Sequence, residues 1–152
     1  MHRFELRVRY GDTDPMGWAY YGHYLRWFEI GRAEMLRSLG RSYRSIEADE
    51  GVLLPVLDAR VRYLRGARYD EAVTIETGVI VAQRAIARFG YRVVGESGEP
   101  CALGYTEHCA VTREAKPVRF PEALRELLAR APRAPESLVA LVEGPPGRLS
   151  RG

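Results

Sequence analysis

The chain is poor in the residues from which many catalytic centres are built. It holds two cysteines and three histidines in 152 residues. Cys101 and Cys109 fall eight positions apart on one predicted strand. At about 3.3 Å per residue they lie well beyond the roughly 7 Å between Cα atoms that a disulfide tolerates. They read as reduced sheet residues, and their spacing fits no metal site. His2, His23 and His108 are scattered along the chain, so no metal centre is expected. There is no G-x-S-x-G elbow, no P-loop, no H-E-x-x-H and no C-x-x-C, and Gly95 with Gly98 makes no dinucleotide fingerprint. No apolar run approaches the roughly 18 residues of a membrane span. Met1-His2-Arg3 runs straight into a strand without an apolar leader, which makes a cytoplasmic protein the expectation. Charge is nearly balanced, with 23 basic and 20 acidic residues, a net +3 and a pI near 9.0. The arginines are spread along the chain rather than gathered among exposed aromatics. That argues against nucleic acid as a partner and suits a small polyanion.

What is present is enough for one domain with a real core. Phe4, Leu6, Val8 and Tyr10 alternate with Glu5, Arg7 and Arg9, the period of a half-buried strand. From Tyr20 to Leu39 the pattern becomes helical. Tyr21, Tyr24, Phe28, Gly31, Met35 and Leu39 form an apolar stripe that Leu25, Trp27 and Leu36 widen. Glu29–Arg32 and Glu34–Arg37 read as surface pairs, and Gly31 as a point of close approach by another backbone. A polar connection, 41–50, leads to strands near 57–63, 73–81, 85–93 and 101–112. Glu122–Arg130 reads as a short amphipathic helix behind Pro121. Residues 131–152 carry four of the nine prolines and read as a flexible tail, with 138–142 able at most to dock locally. The order predicts an α+β fold in which an antiparallel sheet has one face covered by one long helix. The other face and the edges stay open, so pairing of edges between subunits is expected.

Between the first strand and the long helix lies Gly11-Asp12-Thr13-Asp14-Pro15-Met16-Gly17. A carboxylate ahead of a helix start stands beside unpaired backbone N–H groups. That is an acid, base or nucleophile next to an oxyanion site, or two aspartates that only cap the helix.

Tyr10 to Gly17, followed by Tyr20-Tyr21-Gly22-His23-Tyr24-Leu25-Arg26-Trp27-Phe28-Glu29 and Arg32, resembles the signature of hotdog-fold acyl-CoA thioesterases of the 4-hydroxybenzoyl-CoA thioesterase type. Pro55-Val56, Ala67-Arg68-Tyr69-Asp70-Glu71 and Lys116-Pro117-Val118-Arg119-Phe120-Pro121 are similar to further landmarks, so the likeness runs from about Phe4 to Ala129. It implies an antiparallel sheet wrapped around one helix over residues 1–130. It also implies a homo-oligomer, a dimer or, as the expected form, a tetramer, with sites between subunits. It implies an acyl-CoA substrate with a short-chain or aromatic acyl group, and no cofactor, since coenzyme A is part of the substrate. Asp14 matches the catalytic carboxylate and Tyr21 the residue whose backbone N–H meets the oxyanion; Gly17 is counted with them. Glu29 matches a position lining the acyl pocket, or else pairs with Arg32 or Arg26. His23 and Tyr24 are candidate substrate contacts. Arg84, Arg88 and Arg119 are candidates for the coenzyme A phosphates, because guanidinium forks suit phosphate oxygens; each also reads as a solvated surface charge. An acyl-carrier-protein thioesterase and a non-catalytic acyl-CoA-binding module remain as alternatives.

Overall fold

The computed structural model describes residues 1–145. Alternation produces β1, His2–Arg7, with Arg3, Glu5 and Arg7 facing out. The strand ends before Val8, earlier than predicted, because the chain folds back on itself. The Arg9 N–H donates to the Asp12 carboxylate (2.9 Å) and the Asp12 N–H to the Arg9 carbonyl (3.0 Å). This turn leaves Tyr10 81% exposed.

The remaining strands are β2 (Val56–Tyr63), β3 (Ala72–Gln83), β4 (Ile86–Val94), β5 (Pro100–Val111) and the two-residue β6 (Pro117–Val118). They pair antiparallel in the order β1-β3-β4-β5-β2, with β6 on β5. Helix α1, His23–Ser38, crosses the inner face of this sheet. Phe28 stacks on Tyr91 of β4 with ring centroids 4.3 Å apart. Tyr24, Trp27, Met35 and Leu36 are buried with Ile75, Phe89 and Val93 in the main core. Gly31 is a point of close approach, to side chains rather than to a backbone. A Cβ there would lie 2.5 Å from Thr77 Oγ1 and 2.6 Å from Ile75 Cγ2. Cys101 and Cys109 both lie on β5 and are unbridged.

Four expectations change. Helix α1 begins at His23 rather than Tyr20, because Tyr20-Tyr21-Gly22 form a separate turn ahead of it. Arg32 does not pair with Glu29 at the surface. It is buried, and its guanidinium donates to the hydroxyls of Tyr43, Tyr91 (3.0 Å) and Thr106 (3.4 Å), while Glu34–Arg37 does pair. The polar connection 41–50 contains helix α2, Tyr43–Glu50, capped by Ser42 and Ser45 and anchored by buried Ile46. The tail beyond α3 (Glu122–Arg130) is not loose as far as residue 145. The Val79 N–H donates to the Pro132 carbonyl (2.8 Å) and the Ala134 N–H to the Val79 carbonyl (3.0 Å), so the chain joins β3 just past the end of β1. It then forms α4, Ser137–Glu143, over the outer face of the sheet, where Leu138, Val142 and Ala134 bury against Ile80 and Tyr105. Arg62 of β2 holds the end of α4 by donating to the Val142, Gly144 and Pro145 carbonyls. Apolar contact across the outer face outweighs the disorder that the prolines suggested. Residues 146–152 of the expected tail lie outside the described residues.

Candidate active site

Asp14-Pro15-Met16-Gly17 has Asp first, Pro second and Gly last, the residue order of a type I turn. The Gly17 N–H closes it on the Asp14 carbonyl (2.9 Å), and Gly17 takes φ +80. The turn ends a miniature hairpin in which Thr13 pairs with Ala19 and the Asp14 N–H donates to the Trp18 carbonyl (2.8 Å). One carboxylate oxygen of Asp14, Oδ1, accepts the N–H groups of Met16 (2.9 Å) and Trp18 (3.4 Å). The other, Oδ2, has no hydrogen-bond partner among the described residues. One oxygen therefore fixes the side chain and the other is free for chemistry.

The hairpin is tied to the loop between β2 and β3. The Ala19 N–H donates to the Ala67 carbonyl (2.8 Å), and the Ala67 N–H in turn donates to the Tyr24 hydroxyl (3.1 Å). Arg65 and Glu71 form a two-pronged ion pair across the base of that loop. The Arg65 hydrogen bond, the largest influence, holds the Glu71 carboxyl below its ordinary range. Burial pushes the Tyr24 hydroxyl up, so it stays protonated at neutral pH.

Asp14 stands between two cavities. One, of about 480 Å³, has largely apolar walls that include Met16, Trp18, Tyr21, Tyr24, Tyr63 and Leu64. The other, of about 740 Å³, is bounded by Tyr10, Thr13, Pro15, Gly17 and Tyr69. Ahead of α1 the Tyr20 carbonyl accepts the His23 N–H (2.9 Å) and the Tyr21 carbonyl accepts the Tyr24 N–H (3.4 Å). Neither the Tyr21 nor the Gly22 N–H has a partner among the described residues. The site thus joins a half-buried carboxylate, a cavity able to take an apolar group, and unused donors at a helix N-terminus.

The structure brings Asp14, Tyr21 and Tyr24 to one cavity. Asp12 has the structural task of closing its own turn through Arg9. Gly17 is near Asp14, and its N–H is engaged in closing the turn. His23 packs edge-on against Tyr20 (5.7 Å) and lines neither cavity beside Asp14. Glu29 is exposed on α1 and pairs with neither Arg26 nor Arg32 among the described residues. The three arginines are not gathered at Asp14 within one protomer. Strand β3 leaves the Asp14 end at Ala72, and its 12 residues span roughly 36 Å at about 3.3 Å each before the turn that holds Arg84. Arg119 lies past β6 at that same distant end. Arg88 is on the outer face, paired with Glu107 (2.7 Å) over the ring of Tyr105. Sequence reasoning missed Tyr63, Leu64 and Arg65. Tyr63 was visible only as the last apolar step of a strand, and nothing local marks the end of a strand as a cavity wall.

Residues 8–128 match the model of the thioesterase-like superfamily. YneP of Bacillus subtilis is 33% identical over 120 residues, covering 78% of this chain and 86% of its own length. The acyl-CoA thioester hydrolase YbgC of Escherichia coli is 30% identical over 127 residues, 82% of this chain and 92% of that protein. Among solved structures, the DHNA-CoA thioesterase of Staphylococcus aureus superposes with a TM-score of 0.79 at 32% identity, covering 84% of this chain and 88% of the other.

Proposed function

Because this chain belongs to the thioesterase-like superfamily, we propose that it hydrolyses the thioester of a small acyl-CoA, short-chain or aromatic, to the free acid and coenzyme A. The hotdog fold and a hydrolase activity come with membership. The assignment of residues is carried by one observation: among the described residues, Asp14 keeps an oxygen free beside a cavity that Tyr21 also lines, and the Tyr21 N–H is without a partner. The acyl group would occupy the apolar cavity with its thioester carbonyl oxygen on the backbone N–H groups ahead of α1. Asp14 would either attack the carbonyl carbon, giving a mixed anhydride that water then opens, or draw a proton from the attacking water. In both routes negative charge builds on the carbonyl oxygen, where the N–H groups stabilise it, and the C–S bond breaks to release the thiolate.

Assembly as a homodimer would fit the same reading. Of the two edge strands, β1 turns only charged side chains fully outward, whereas β2 exposes Val56, Leu57 and Tyr63. Such an edge invites pairing with another strand. Antiparallel pairing of β2 with the partner's β2 would carry the opposite end of the partner's sheet, with its Arg84 and Arg119, toward Asp14. There they would serve the phosphates of coenzyme A.

The test is thiol release from a panel of aliphatic and aromatic acyl-CoAs. Wild type is expected to turn over at least one. Asp14→Asn is expected to lose about 10³-fold or more in kcat with little change in melting temperature, since an amide oxygen still accepts the Met16 and Trp18 N–H groups. Wild-type turnover in that variant removes Asp14 from the mechanism. Activity confined to acyl-carrier-protein thioesters changes the carrier, and acyl-CoA binding without hydrolysis of any thioester replaces the enzyme with a binding module.

A further inference from the structure

Tyr63, the last residue of β2, does more than wall the apolar cavity: it also reaches the turn ahead of α1. Its ring stands edge-on to Tyr24 (5.2 Å) and Tyr21 (6.5 Å), and its hydroxyl donates to the Tyr21 carbonyl at 2.9 Å. Burial and the neighbouring Tyr21 hold its pKa above the ordinary value, so the proton it donates is present at neutral pH.

A peptide unit is planar, and in the trans form its C=O and N–H point in opposite directions. The Tyr21 carbonyl and the Gly22 N–H belong to one unit. The carbonyl accepts from the Tyr63 hydroxyl at 2.9 Å and, more weakly, from the Tyr24 N–H at 3.4 Å, and fixing it on Tyr63 aims the Gly22 N–H away from that hydroxyl. The preceding unit, Tyr20 carbonyl with Tyr21 N–H, is fixed in the same way by the His23 N–H. Both carbonyls are held and both N–H groups are left without partners among the described residues. A bond accepted at the carbonyl also polarises the unit and strengthens its N–H as a donor. Among the described residues Tyr63 is the only side chain that bonds these two units, and it reaches them from another element.

We propose that Tyr63 is a positioning residue for the oxyanion site, holding the turn before α1 so that the Tyr21 and Gly22 N–H groups face the developing charge. The proposal rests on the thioesterase reading above. It adds a second donor, Gly22, and a mechanical link from the edge strand β2 to the catalytic turn.

The experiment uses the full chain and Tyr63→Phe, which keeps the ring and removes only the hydroxyl. kcat and KM are measured with the acyl-CoA that wild type hydrolyses best, alongside melting temperature and the backbone amide resonances of Tyr21 and Gly22. Loss of an oxyanion donor costs about 10²–10³ in rate; loss of its alignment is expected to cost about 10–100-fold in kcat. KM is expected to stay within about twofold, because the bond bears on the transition state rather than on ground-state binding. The Gly22 resonance is expected to move while those of the β3–β4 turn stay in place. Wild-type kcat in Tyr63→Phe, or an unmoved Gly22 resonance, overturns the role of Tyr63 and leaves the thioesterase standing. A wild-type chain that hydrolyses no thioester overturns the thioesterase and the role of Tyr63 together. Activity of the wild type separates the two failures.

Discussion

His108 is fully buried on β5, with Nδ1 on the Leu54 carbonyl (3.1 Å), Nε2 on the Thr106 hydroxyl (2.8 Å) and its ring against Phe89. Burial, and then the Arg32 guanidinium nearby, push its pKa down to about 4. It is therefore neutral at pH 7, donating from Nδ1 and accepting at Nε2. The unfolded chain takes a proton on this residue near pH 6.5, the folded chain only near 4. The unfolded state binds the extra proton between those values, so stability is fully present above about 6.5 and falls as pH drops through the window. The loss attributable to His108 is up to about 3 kcal/mol. Chemical denaturation at several pH values should show wild type losing stability more steeply from pH 7 to pH 4 than His108→Gln does; equal slopes would mean that other groups carry the acid sensitivity. Arg32 belongs to the same buried cluster and illustrates what the sequence hides. At its own helix position it looks like half of an exposed pair with Glu29. Its hydroxyl partners Tyr91 and Thr106 lie on strands 59 and 74 residues further along. No local pattern connects them.

At the scale of elements, the contact of α1 with β3 passes through Gly31. Alanine there gains about 1 kcal/mol of helix propensity but puts a Cβ 2.5 Å from Thr77 Oγ1 and 2.6 Å from Ile75 Cγ2. Overpacking of a core typically costs about 1–3 kcal/mol, so Gly31→Ala is expected to lower the melting temperature by a few degrees. An unchanged or raised value in thermal denaturation would show that α1 can lift off the sheet without penalty. The long elements were legible because their periods are long enough to read. Strands β2 to β4 follow alternation in sequence, and α3 begins behind Pro121 as predicted. Helix α2 was not legible because eight mostly polar residues bury only Ile46, leaving the Ser42 and Ser45 cap and the left-handed Gly51 at its end as its only signals. The docking of α4 was not legible because its site is assembled from Ile80 and Tyr105, on two strands distant from it in sequence. In the candidate site, residue order marked Gly11 to Gly17 as a carboxylate-bearing turn, whereas the cavity walls were not legible: Tyr63 and Leu64 arrive from the far end of another strand.

For the whole molecule, the question is which surfaces remain for a second copy. The β2 edge offers backbone groups together with Val56 and Leu57, which are 53% and 55% exposed. Leu57→Lys places a charge on that edge, a substitution that discourages strand pairing. Light scattering is expected to show wild type at no less than twice the chain mass and Leu57→Lys shifted toward one chain, with thioesterase activity falling alongside. A fully active monomer would refute a shared site. The strap of residues 131–145 bears on larger assemblies in a different way. By lying across the outer face around Ile80 and Tyr105 it turns that part of the surface from exterior into interior. A second sheet laid back to back over β5 and β2 would meet α4 before it met the strands. The opposite side is clear of the strap, and there α1 presents Leu25, Arg26 and Glu29 to solvent.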